Sequence, residues 1–186
     1  MVKQNFKPQV GSAALGEQFT SGLMSKVKVE QATSQFIRAV GFIDRLQAKH
    51  HEIIARMLET RDLTELTAVQ AVMLYNLGDR EIMAGEMRSR GIYLGSNVSY
   101  NLKKLVGLGY LSQHPSPHDK RAVHVRLTEK GKAIHDLVGQ TYAAHAQKIL
   151  ATCPIDFQDV INLENLLEVI DQFWSQELYI HSKTGL

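Results

Sequence analysis

A chain of 186 residues, 44% apolar and 22% charged, has the length and composition of one ordinary folded domain with a real core. Its single cysteine, Cys153, excludes an internal disulfide framework, and no run of about 18 apolar residues exists to span a membrane. The net charge of +2 hides an asymmetry: residues 88–132 hold nine Lys/Arg against two acids, a net +7 that leaves −5 on the remainder.

Residues 1–28 show no sustained period and carry Pro, Gly and Ser, so they read as a flexible arm. Pro8, Gly11 and Gly16 interrupt the only stretch that could resemble a signal peptide, which points to a cytoplasmic chain. A long helix is predicted over 31–60, with Phe36, Val40, Ile43 and Leu46 on one stripe that Ile53, Ile54, Met57 and Leu58 resume. Adjacent His50 and His51 point about 100° apart on a helix, a poor chelate, and read as solvated surface.

Thr67 followed three residues later by Gln70 is a capping box opening a helix that stops at Gly78, with Val69, Val72, Met73 and Tyr75 inward. Asp79 should then cap a short helix from Arg80 to about Ser89, burying Ile82, Met83 and Met87. The following helix, Ser96–Leu108, has apolar Val98, Leu102, Leu105, Val106 and Leu108 at helical spacing. Between them stand Asn97, Ser99, Tyr100, Asn101, Lys103 and Lys104. An outward face of amides, hydroxyls and lysines without carboxylates suits a partner that offers phosphates and base edges.

Gly107 and Gly109 end that helix, and Tyr110-Leu111 begin a strand. Pro115 and Pro117 stiffen a loop tipped by His118, Asp119, Lys120 and Arg121. The return strand alternates Val123, Val125 and Leu127 with His124 and Arg126. Helix, strand, basic loop, strand is the order of a winged helix-turn-helix. Thr128 caps a helix to about Ala151 with Ile134, Leu137, Val138, Tyr142, Ile149 and Leu150 inward. His145 is expected on the same face, and Cys153 as a packed, inert thiol. Asp156 caps a last helix whose apolar residues, Phe157 to Trp174, are too many for one covered face, so it needs a second partner.

The fold class is therefore mainly α with a small β-wing, in the order α-α-α-α-β-β-α-α, with room for one short strand before the recognition helix. The layout is an arm (1–28), a dimerisation helix (29–62), the winged helix-turn-helix (63–132) and C-terminal dimerisation helices (133–186). Phe36, Val40, Phe157, Ile161, Leu166, Ile170, Phe173 and Trp174 are the candidate dimer contacts.

The segments SNVSYNLKKLVGLGYL and DKRAVHVRLTEKG make residues 67–135 resemble the DNA-binding domain of the MarR family of bacterial transcription regulators. The second matches the family's wing pattern of Asp-x-Arg, a strand, then Leu-Thr-x-x-Gly. The turn Arg88–Ser96 is longer than the family's. The resemblance implies a homodimer built from the N- and C-terminal helices, a small-molecule effector, and repression as the commoner outcome.

The DNA roles follow from side-chain chemistry. Ser96, Asn97 and Ser99 can hydrogen-bond base edges or phosphate, and Tyr100 can donate to phosphate or pack on a thymine methyl. At least one of Lys103 and Lys104 would meet backbone phosphate. Arg121, with His118 and Lys120, would enter the minor groove, while Asp119 shapes the wing. A two-fold dimer would place two such units on half-sites about 34–36 Å apart in double-stranded DNA.

No Gly-rich phosphate loop, His-pair metal motif or Ser-His-Asp pattern is present, so neither an enzyme nor a metal or cofactor is expected. The competing reading is a winged-helix module for protein contacts, its lysines merely solvated.

Overall fold

The structure is a computed structural model that describes residues 26–83, 97–115 and 123–184. The chain divides into two units, residues 1–50 and 51–186. Helix α1 (Lys26–Glu59) begins in the first and ends in the second. In the first unit Phe36, Ile37, Phe42 and Leu46 are exposed, Val40 and Ile43 are half-buried, and the Arg45 guanidinium lies 4.4 Å from the Phe42 ring centre.

The second unit holds the core. Ile54, Met57 and Leu58 from the end of α1 join Leu66 and helix α2 (Ala68–Leu77). The capping box forms as read: the Gln70 backbone N–H donates to Thr67 Oγ1 (3.3 Å), and the Thr67 N–H donates to Gln70 Oε1 (3.1 Å). Burial of α2 is wider than a stripe, because Gln70, Ala71, Val72, Met73, Leu74 and Leu77 are all buried, while Val69 and Tyr75 are only half so. The helix is enclosed because it packs against both helix α4 (Glu129–Thr152) and the sheet.

The expected helix from Arg80 does not form over its first residues. Ile82–Met83 is instead a strand, β1, paired antiparallel with β3 (Val123–Leu127) through Ile82↔Val125 and Met83↔His124. Pairing turns neighbouring side chains to opposite faces, so Ile82 is buried while Met83 is exposed, against the expectation that both face inward. Met87 and the remainder of that expected helix lie outside the described residues. β3 is central: β2 (Leu111–Pro115) pairs on its other side, with Leu111↔Leu127 and Ser112↔Arg126 opposite one another. Leu111, Val125 and Leu127 face the core.

Helix α3 (Asn97–Gly107) precedes β2 and ends in a Schellman motif. The Tyr110 N–H donates to the Leu105 carbonyl (2.9 Å) and the Gly109 N–H to that of Val106 (3.0 Å). Gly109 sits at φ +77°, where a side chain would be strained, and Leu105 and Tyr110 make the buried contact that accompanies such caps.

Thr128 caps helix α4 (Glu129–Thr152) through Gly131 N–H to Thr128 Oγ1 (3.1 Å). Gly131, Ile134 and Val138 are buried; beyond Tyr142 the helix leaves the core and Ile149 and Leu150 are exposed. His145, expected on a core or pocket face, is exposed for the same reason. Cys153, expected to be packed, is also exposed. Helix α5 (Phe157–Thr184) begins with a reciprocal cap: Asp159 N–H to Asp156 Oδ1 and Asp156 N–H to Asp159 Oδ2, both 2.9 Å. His50 and His51, read as solvated, are half-buried.

Candidate nucleic-acid interface

Helix α3 divides cleanly. Val98, Leu102 and Leu105 are buried and Val106 is half-buried, which fixes the helix on the core by one stripe. Tyr100 is 66% exposed, Lys103 is exposed, and Lys104, Ser99 and Asn101 are half-buried. No residue of α3 is acidic. Tyr100, Lys103 and Lys104 therefore stand on a helix that carries no carboxylate of its own. Asn97 opens the helix; Ser96, His118, Lys120 and Arg121 lie outside the described residues.

Three contacts hold this face in place. Midway along α3, the Gln70 side chain, only 1% exposed, donates from Nε2 to Asn101 Oδ1 at 3.0 Å. At its C-terminal end, the fully buried Tyr110 donates its hydroxyl to Glu65 Oε1 at 2.6 Å. Lys130 closes that corner: its Nζ lies 4.0 Å from the Tyr110 ring centre and 3.6 Å from Glu65 Oε1, and donates to the Leu108 carbonyl at 3.1 Å.

The electrostatics of the corner follow. Burial first, and then the bond to Glu65, push the Tyr110 hydroxyl far above the ordinary tyrosine range. That same hydrogen bond is the main reason the Glu65 carboxyl titrates below its usual value. Lys130, which contributes to the basic count of 88–132, is thus engaged within the protein. Lys132 lies 3.4 Å from Glu129.

The third contact is the approach of α4 to the end of α3. The Thr128 N–H donates to the Tyr110 carbonyl (3.1 Å) and its hydroxyl to that of Gly109 (2.6 Å). Gly131 lies so close that a Cβ there would fall 2.1 Å from the Tyr110 carbonyl oxygen. Across α2 and α4, Tyr75 stacks on His135 (5.2 Å, 22°) and meets Tyr142 edge-on at 4.9 Å. Sequence reasoning missed Glu65, Gln70 and Gly131 as supports of this face. The Leu-Thr-x-x-Gly pattern carried the signal for Gly131; Glu65 and Gln70 meet partners 45 and 31 residues away, beyond any local pattern.

The outer face of the hairpin carries a groove of about 550 Å³ lined by Asp79, Ser112, His114, Arg126, Thr128 and Lys132, among others, and by no residue of α3. Among the described residues no cluster of three His, Cys, Asp or Glu could hold a metal, and no helix is long and apolar enough to cross a membrane.

The candidate dimer contacts divide by exposure. On α5, Phe157 is 77% exposed, and Leu166, Phe173 and Trp174 are exposed, whereas Ile161 and Ile170 are half-buried. On α1, Phe36 is exposed and Val40 half-buried.

Residues 66–131 match the family described as winged helix DNA-binding domain. The chain is 33% identical over 92 residues to the exopolysaccharide II synthesis transcriptional activator ExpG of Rhizobium meliloti, an alignment covering 50% of this chain and 47% of that protein. It spans about half the length of the curated relatives it matches. Among solved structures, a mutant MarR from E. coli complexed with operator DNA is similar at a TM-score of 0.59 and 26% identity, over 73% of this chain and 95% of that one. FabT of Streptococcus pneumoniae, in complex with DNA, has the same fold at a TM-score of 0.61 and 19% identity, over 76% of this chain and 98% of that one.

Proposed function

Because this chain carries a winged helix DNA-binding domain on a MarR-type fold, we propose that it is a transcription regulator that binds a pseudo-palindromic operator as a homodimer. The observation that carries the reading is that α3 bears no acidic residue and presents Tyr100 and Lys103 outward, with Lys104 half-buried beside them, on a helix held at its middle and at its C-terminal end. Such a face meets phosphates with cations and hydroxyls and meets base edges with amides. Arg121, Lys120 and His118 are assigned to the adjacent minor groove. Asn97 and Ser99 sit in the first turn of α3, the end that a recognition helix presents to base edges, and Ser96 is assigned to the same contact.

The dimer reading is supported by the exposed apolar surface of α5. A helix of 28 residues that leaves Phe157, Leu163, Leu166, Leu167, Phe173 and Trp174 to solvent needs a partner, and a second copy supplies a self-complementary one. Residues 29–62 and 133–186 are assigned to dimerisation, and 63–132 to DNA. Repression follows where the operator overlaps a promoter. The rhizobial relative is named an activator, so operator position is taken to decide the sign. A small molecule that prefers one spacing of the two recognition helices would shift operator affinity by that preference. The cytoplasm is the compartment in which such a protein meets DNA.

The test is fluorescence anisotropy against the DNA upstream of its own gene and a scrambled duplex, each at ~50 and ~200 mM salt. Tight binding that favours the native duplex and weakens steeply with salt is the expected result. Absence of binding at low salt would refute it in favour of a protein-contact module.

A further inference from the structure

Asn101 lies on α3 beside the proposed DNA face, and the structure fixes which of its two amide atoms points outward. The chain of hydrogen bonds begins at a backbone group whose polarity is not negotiable. The Thr67 N–H can only donate, so the side-chain atom of Gln70 that meets it at 3.1 Å is the oxygen. The other end of the same amide is therefore the NH2 group, and it donates to Asn101 at 3.0 Å. That makes the Asn101 atom facing Gln70 its oxygen, and leaves the Asn101 Nδ2 as the group turned away. Gln70 is almost wholly buried, and reversal of its amide would set oxygen against oxygen at Asn101 and NH2 against N–H at Thr67. Two such mismatches in a buried site cost far more than an ordinary hydrogen bond contributes.

We infer that Asn101 meets operator DNA through its NH2 group as a donor, held in that orientation by Gln70 acting as a positioning residue. Its occupant is a hydrogen-bond acceptor: a phosphate oxygen, or a base-edge acceptor in the major groove such as a purine N7, guanine O6 or thymine O4. A free asparagine can turn to pair as both donor and acceptor, the arrangement that reads adenine through its amino group and N7 together. With its oxygen turned to Gln70, Asn101 directs its NH2 group away from that bond and favours acceptors over the amino groups of adenine and cytosine. The inference rests on the proposed DNA-binding function.

The experiment starts from an operator selected out of random duplexes by the full-length protein. Wild type and Asn101→Ala are titrated by anisotropy against that operator with each base pair changed in turn and, in parallel, with a methylphosphonate at each phosphate. One operator position should emerge whose change weakens wild type by about tenfold and leaves Asn101→Ala nearly unaffected. Coupling at a base pair identifies base readout, and coupling at a methylphosphonate identifies a phosphate contact. Asn101→Asp guards against a folding artefact, because it keeps the acceptor for Gln70 and should hold its Tm, yet it should lose the same coupling. Gln70→Ala, which lets Asn101 turn, should shrink it. If selection yields no operator, the DNA-binding reading fails. If wild type binds its operator and no position couples to Asn101, or coupling survives intact in Gln70→Ala, this inference is overturned.

Discussion

Substituting Gly131 by alanine sets two effects of opposite sign against each other. Alanine is favoured over glycine by up to about 1 kcal/mol in a helix, and Gly131 lies in the first turn of α4, so propensity alone makes Gly131→Ala stabilising by at most that amount. The tertiary structure reverses this. The new methyl would fall 2.1 Å from the Tyr110 carbonyl oxygen and 3.2 Å from Leu127 Cδ2. The oxygen is backbone and cannot swing aside, so α4 and the end of α3 must separate by about 1 Å to reach ordinary contact distance. That movement breaks or stretches the Thr128 N–H bond to the same carbonyl and the hydroxyl bond to Gly109. Forced repacking costs about 1–3 kcal/mol, and each weakened hydrogen bond about 1 kcal/mol. Against the propensity gain, a net loss of about 2 kcal/mol is expected. For a chain of this length that is about 4–8 °C in Tm. Thermal and urea unfolding followed by circular dichroism would measure it. An unchanged or raised Tm would refute the close approach and leave propensity as the only effect.

Four further outcomes are expected. Tyr110→Phe should lower the Tm by removing the bond to Glu65. Because that bond depresses the Glu65 carboxyl in the folded state, its contribution is present above the ordinary carboxylate range and lost as pH falls through the depressed value. The wild-type advantage over Tyr110→Phe should therefore shrink on acidification, and a constant gap would contradict it. Lys103→Ala or Lys104→Ala should weaken binding uniformly across operator sequences and lower the slope of log K against log salt by about 1 where that lysine meets a phosphate; an unchanged slope for both removes them from the interface. Arg121→Ala should weaken operator binding without altering the oligomeric state, and an unchanged affinity would exclude it from the site. Trp174→Ala, or truncation before Phe157, should yield monomers; a surviving dimer by light scattering would refute the α5 interface.

Local signals in the chain carried far. Thr67 with Gln70, Thr128 and Asp156 mark helix starts through short side chains that satisfy orphan N–H groups, and all three caps form in the structure. Gly109 marks the stop of α3 by its left-handed backbone. The stripe of Val98, Leu102 and Leu105 fixes which face of α3 is buried, and so leaves Tyr100 and Lys103 outward. These features are legible because cause and effect lie within a few residues of one another.

What escaped the sequence has long-range causes. Ile82-Met83 reads as helix by its neighbours, and the short strand allowed before the recognition helix forms there because β3, some 40 residues on, offers its free edge. His145 and Cys153 continue a pattern that predicts burial, yet the core ends near Tyr142, and a helical stripe says nothing of how far a core extends. Lys130 counts as free surface charge in composition but, while still exposed, is engaged by Tyr110 and Glu65. Gln70 announces itself only as half of a capping box; that its other amide end holds Asn101 is decided by the packing of α2 against α3. Sequence alone determined the helix boundaries it caps, the wing and the carboxylate-free α3, because each is set by backbone hydrogen bonding or side-chain type close at hand. Only the tertiary structure decided which polar groups are clamped and in which polarity, since that depends on partners brought together by folding.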